Sequence, residues 1–231
     1  MFMSKGDKIQ APGFTILVVS DGSANCTAIG RQLAAEEYRI CWSTGVADAL
    51  IHARDDLPDL IILAADASVR GGGDAIRQLR ALPPPAGRVP VLACAAQRHG
   101  AEALYAAGFD GDLPLADDSA LVLATIAPWN PVDTLAGVER LTAIFGAPDM
   151  TALVARFRSQ LAEAVQGLDI ATDRDVAHRI AGLAGTLGFE RVGASWLALS
   201  EGQETVRDAV RRDARVALHA IDRAGHVRRH P

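Results

Sequence analysis

The chain has 231 residues, a net charge of -5, 49% hydrophobic residues and 22% charged residues. That length allows one or two domains with real cores, and the acidic balance argues against a general nucleic-acid binder. No apolar run reaches the ~20 residues that span a bilayer, Met1–Lys8 lacks a hydrophobic signal core, and Cys26, Cys41 and Cys94 are isolated thiols without a C-x-x-C pair, so a cytoplasmic setting without a metal or disulfide framework is expected.

After a flexible N-terminus (1–13), the first half alternates strands and helices. Phe14–Val19 is a continuous apolar run, and Ala24–Glu37 reads as a helix. Tyr38–Trp42 is a second strand and Val46–Arg54 a second helix; Leu60–Ala65 is a third, buried strand after the turn Pro58-Asp59. Gly71-Gly72-Gly73 reads as a loop before a helix over Asp74–Leu82, which Pro83-Pro84-Pro85 ends. Val89–Ala95 and Gly111–Leu115 are strands, and Ala101–Ala107 and Ser119–Ile126 are helices. Strands this apolar are buried on both faces, which means a parallel sheet covered by helices. The expected fold of 14–127 is therefore α/β, a flavodoxin-like (βα)5 doubly wound parallel sheet.

The second half shows helical patterns and no convincing strand. Pro128-Trp129-Asn130-Pro131 reads as a linker (128–133), because two prolines interrupt any continuing helix. Over 134–225 come amphipathic stripes: Leu135, Val138, Leu141 and Phe145, ended by Gly146; then Met150, Leu153, Phe157, Leu161, Ala164 and Leu168. Thr172 and Asp175 suggest a capping box for the next helix. Val192, Trp196 and Leu199 mark a short helix, and Val206, Val210, Ala214, Ala217 and Ile221 the last stripe, before a tail at 226–231. Antiparallel helices with short connections make an all-α bundle.

One helix of that bundle carries chemistry. At ~100° per residue, Val176, Ile180, Ala184 and Leu187 form an apolar stripe, and His178 falls on the opposite side. Gly182 lies one turn above it, and Gly185 is on the same face. Glycine inside a helix costs about 1 kcal/mol against alanine. Two glycines beside an exposed nitrogen nucleophile point to close approach by another protein.

This segment resembles the histidine phosphotransfer domain of bacterial phosphorelays, whose signature is a histidine, a basic residue three on, a glycine four on and a second glycine after small residues. His178, Gly182, Ala184 and Gly188 match, and the helix order from about Thr134 to Arg223 agrees. The resemblance implies a phosphocarrier, not an enzyme with its own kinase domain. His178 would accept and donate a phosphoryl group with receiver domains of response regulators or hybrid histidine kinases. The chain would need no cofactor or metal of its own, with Mg²⁺ on the partner receiver. An imidazole carries a free lone pair at physiological pH, and phosphoryl transfer asks mainly for positioning and charge stabilisation. The basic position three after the histidine is Ala181; Arg174, one turn before, could supply that charge, with Arg179 to the side.

Residues 15–127 resemble the receiver domain of response regulators in strand order and length, yet the functional positions are altered. The acidic pair after the first strand reads Ser20-Asp21. The phosphoacceptor position falls at Ala64, the fourth-strand hydroxyl at Ala95, and the fifth-strand lysine at Leu115, followed by Ala116. Asp66 could serve only through a register slip. The expectation is a pseudoreceiver kept for partner binding or a homodimer. The alternative for the whole chain is a non-catalytic adaptor or inhibitor that binds a sensor kinase or response regulator. Arg207, Arg211, Arg212, Arg215 and Arg223, interleaved with acids, read as a solvated helix face, as do His219, His226 and His230. Trp42, Trp129 and Trp196 read as packing residues. No nucleic acid or membrane partner is expected.

Overall fold

The computed structural model describes residues 13–20, 24–36, 38–64, 69–95, 100–114, 118–132, 134–168 and 173–227. Its first half holds β1 (Thr15–Val19), α1 (Ala24–Ala35), β2 (Arg39–Ser43), α2 (Val46–Asp55), β3 (Leu60–Ala64), α3 (Val69–Ala81), β4 (Val91–Ala95), α4 (Ala101–Ala107), β5 (Gly111–Pro114) and α5 (Ser119–Ile126). The strands form one parallel sheet in the order β2-β1-β3-β4-β5. This is the flavodoxin-like doubly wound order, with its switch point between β1 and β3.

The pleat sends alternate side chains to opposite faces, and both faces are covered. Ile16, Val18, Ile62 and Leu92 pack with Leu33, Val122 and Ile126 on one side. Leu17, Val19, Ile61 and Leu63 pack with Ala53, Ile76 and Leu79 on the other. Full burial of each such aliphatic side chain is worth about 1.5–3 kcal/mol, which explains the uninterrupted apolar runs.

The second half is α6 (Ala136–Phe145), α7 (Ala147–Gly167), α8 (Arg174–Leu187), α9 (Glu190–Ser200) and α10 (Arg207–Val227). Phe157, Leu161, Ile180, Ala184, Trp196, Val210 and Ala214 form its core, and Phe157 stacks on Phe189 at 4.9 Å. Packing runs from α7 to α8 to α9 to α10 and back to α7. Helices α8 and α10 therefore occupy diagonal corners.

Several local expectations are corrected. Gly71-Gly72-Gly73 lie within α3, not in a loop. Trp129, by contrast, packs as expected, 5% exposed in the sheet's core. Phe145 and Leu153 leave the bundle stripes and are 61% and 50% exposed. Thr172 lies outside the described residues, and Asp173 caps α8 instead, accepting from the N–H groups of Asp175 (2.9 Å) and Val176 (3.2 Å). The last helix runs through 226 and 227.

The largest correction concerns α10. Its stripe joins the bundle core, but Val216 also enters the sheet's core. His219 is 1% exposed, and its Nε2 lies 3.1 Å from the Pro58 carbonyl oxygen. Arg215 donates to Asp110 at 2.6 Å, and Arg223 pairs with Asp59. Asp59 and Asp110 immediately precede β3 and β5 and accept from Thr15 N (2.9 Å) and Val91 N (2.8 Å). Helix α10 thus docks on the N-terminal edge of the sheet. The solvated arginine face is half right: Arg207 pairs locally with Glu204, while Arg211 lies over the Tyr105 ring at 4.5 Å.

Candidate functional site

Helix α8 places His178 in its second turn on the solvent side. Ala177, Ile180, Ala181, Ala184 and Leu187 are its buried residues, so the apolar arc fixes which way His178 faces. Among the described residues no hydrogen bond or ion pair engages the imidazole. A Cβ built on Gly182 or on Gly185 meets nothing within 4 Å. The surface above His178 is therefore open, and neither glycine is required there by packing within the chain.

Two other glycines hold this helix in place. Gly188 ends α8 at φ 81, and Gly137 of α6 presses on it; a Cβ on Gly137 would come 2.5 Å from the Gly188 Cα. Gly188 thus serves the left-handed cap and the close helix approach at once.

The charged candidates separate. Arg179 is exposed on the shoulder of α8. Arg174 is exposed too, but its guanidinium lies against Gly202; a Cβ there would meet Arg174 Nη2 at 2.7 Å. Ala181 is 8% exposed and part of the bundle core, so that position faces inward against α9.

At the C-terminal edge of the sheet, where doubly wound folds bind ligands, Ser20 follows Val19, which is level with Leu63. Ser20 donates its N–H to Ser43 O at 2.9 Å. Ala64 is level with Cys94, and Ala95 with Pro114. The strand ends thus bring Ser20, Ala64 and Ala95 to one edge of the sheet. Asp21, Asp66, Leu115 and Ala116 lie outside the described residues. Among the described residues no group of three or more His, Cys, Asp or Glu side chains is placed to hold a metal ion. No helix among them is long and apolar enough to cross a membrane.

Sequence reasoning missed the buried His219. Burial pushes its imidazole down to about 4, against opposing help from Asp59 and the Pro58 carbonyl. The signal was available: Val216-Ala217-Leu218 are three consecutive apolar residues, which a helix buried on one stripe alone does not need.

The sheet-bearing half is similar to solved receiver domains. The receiver domain of a sensor histidine kinase from Pseudomonas aeruginosa, with magnesium in its active-site cleft, is 27% identical over 51% of this chain and 97% of that one, with a TM-score of 0.44. The chemotaxis response regulator CheY4 of Vibrio cholerae is 19% identical over 51% of this chain and 99% of its own, with a TM-score of 0.44. The non-phosphorylated HemR receiver domain of Leptospira biflexa is 21% identical over 50% and 92%, with a TM-score of 0.40. No protein-family model matches the chain, and no curated protein matches it.

Proposed function

We propose that this protein is a phosphocarrier of a two-component phosphorelay, with His178 as the covalent way-station. The observation that carries the reading is the exposed imidazole of His178 beneath the open surface at Gly182 and Gly185. Its lone pair attacks the phosphorus of an aspartyl phosphate on a partner receiver domain. The bond from phosphorus to the aspartate oxygen breaks, the carboxylate leaves, and the reverse step delivers the phosphoryl group to a second receiver. The partner supplies Mg²⁺ and the remaining charge; on this side Arg179 is the nearest candidate to meet phosphoryl oxygens.

The sheet domain does not act as that partner in this reading. Ala64 offers no nucleophile, and α10, which carries the sheet domain, is diagonal to α8 across the bundle. The phosphoryl group comes from and goes to other proteins, and the sheet domain is a pseudoreceiver for partner choice or dimerisation.

The test is transfer of acid-labile label from phosphorylated receiver domains. Wild type should take up label and His178→Ala should not; uptake that persists in His178→Ala rules the assignment out. Acetyl phosphate should leave His178→Ala unlabelled, and labelling there would restore a working receiver site. A second reading, an adaptor or inhibitor that docks without transfer, is favoured by Ala181, which puts a buried methyl where the resemblance calls for a basic residue. It requires His178→Ala to keep its effect in a cellular signalling assay.

A further inference from the structure

Where α7 and α10 meet the sheet half beside α4 lies a cavity of about 250 Å³. Four arginines line it, Arg80 and Arg88 from the sheet half and Arg211 and Arg215 from α10, against one acid, Asp110. Their partners do not balance them. Asp110 is shared by Arg80 (2.5 Å) and Arg215 (2.6 Å). Asp222, outside the wall, is shared by Arg88 (3.1 Å) and Arg158 (2.5 Å). These four guanidinium groups stand on two carboxylates, which leaves two positive charges over. Arg211 stays out of this count, because Asp208 lies 3.9 Å from it.

The free donors can be named. Arg80 is spent on the fold: its Nε and Nη1 donate to the carbonyl oxygens of Gly108, Gly87 and Val89, and its Nη2 to Asp110. Arg215 uses only its Nε, on Asp110. Arg88 lies near Asp222 without a hydrogen bond from its buried Nε. Both side chains are 29% exposed, and their Nη nitrogens are neither buried nor hydrogen-bonded among the described residues. Burial holds Arg88 below its ordinary pKa; Asp222 opposes this, and the like charges of Arg158 and Arg215 add to it. An anion between Arg88 and Arg215 relieves that repulsion.

We propose that this cavity binds a compact phosphate-bearing molecule, inorganic phosphate or a small phosphate monoester, on the free fork ends of Arg88 and Arg215. Two charges left over match a dianion, and guanidinium forks meet phosphate oxygens in pairs. The volume falls below the ~300 Å³ where drug-sized sites begin, which limits the ligand to a compact one. Arg88 belongs to the sheet half and Arg215 to α10, so the ligand would bridge the two domains. The site is separate from His178, since α10 is diagonal to α8 across the bundle.

The experiment titrates sodium phosphate, and separately glycerol 3-phosphate, into the full-length protein at constant ionic strength and about pH 8, where phosphate is mostly doubly charged. It follows the arginine Nε–H resonances by NMR, with the Arg88 and Arg215 signals identified by their absence in Arg88→Gln and Arg215→Gln. Both signals should shift saturably. Saturation by inorganic phosphate makes the free ion sufficient, and saturation by glycerol 3-phosphate alone makes the ligand an ester; either supports the site. Arg88→Gln, read on the Arg215 signal, should weaken binding about ten-fold or more, while Arg156→Gln, at an exposed position elsewhere on α7, should not. A linear shift with both phosphates, equal binding of nitrate or malonate, or undiminished binding in Arg88→Gln overturns the proposal. The wild-type comparison of phosphate with nitrate and malonate stands even if a variant fails to fold.

Discussion

Acid should loosen this protein through one imidazole, His219. Neutral His219 donates from Nε2 to the Pro58 carbonyl, while its Nδ1 is buried without a partner among the described residues. A second proton would place a charge on that nitrogen at the joint between helix bundle and sheet. Asp59 favours it and Arg223 opposes it, but burial outweighs both and holds the group at about 4 against an ordinary 6.5. The sign follows directly. Above about pH 6.5 both folded and unfolded chains hold a neutral ring, and full stability is present. Below it the unfolded chain binds a proton that the native state refuses, so stability falls by about 1.4 kcal/mol per pH unit until the native group titrates near pH 4. The whole effect is about 3 kcal/mol, of which about 2 kcal/mol is lost between about pH 7.5 and pH 5, before most carboxylates respond. His52 works in the opposite direction, since its hydrogen bond to Asp56 raises it, but that contact is exposed and worth little. Urea unfolding followed by circular dichroism across this window measures the loss. His219→Gln keeps an N–H for Pro58 O and cannot titrate, so its stability should be nearly flat. An equal decline in wild type and His219→Gln refutes the reasoning.

Four further outcomes follow from the packing around named residues. Gly182→Ala should stabilise the protein by about 0.5–1 kcal/mol, because the helix gains and the new methyl meets nothing within 4 Å. Gly182→Leu should fold equally well yet lose phosphotransfer, a split between melting temperature and label uptake that docking at this surface alone explains. Asp110→Ala strips Val91 N, Arg80 and Arg215 of a shared acceptor and should cost about 3–5 kcal/mol in denaturant melts. Gly137→Ala drives a methyl to 2.5 Å from the Gly188 Cα and should cost about 1–3 kcal/mol through forced separation of α6 and α8.

How far the sequence could be read depended on whether a signal was local. The strands were legible because Leu60–Ile61–Ile62–Leu63 has no polar face, a pattern that a sheet covered on both sides requires. The orientation of His178 was legible because Ile180, Ala184 and Leu187 fix the buried arc of α8. The cap of α8 was misread because Asp173 and Thr172 are both good caps at adjacent positions, and which one bonds depends on where the chain enters the helix. The cavity was illegible for a different reason: Arg88 and Arg215 face one space only when α10 docks on the sheet half, and spacing along one helix does not report that.

The junction at α10 shows what a one-stripe reading of a helix leaves out. Five consecutive residues, Val216 to Ala220, are buried, so this helix belongs to the bundle on one side and to the sheet on another. Its arginines find Asp59 and Asp110, acids that already accept from strand N–H groups at the sheet's N-terminal edge. Charges held on both sides in this way fix a register between the domains, because a shift of one turn along α10 would leave the buried Asp59 carboxylate without Arg223 and the Asp110 carboxylate with Arg80 alone. The opposite, C-terminal edge of the sheet and the His178 face of α8 are both left uncovered by that contact. In the proposed phosphocarrier, a partner docking on His178 would meet the bundle alone, because α10 joins the sheet from the corner of the bundle diagonal to α8.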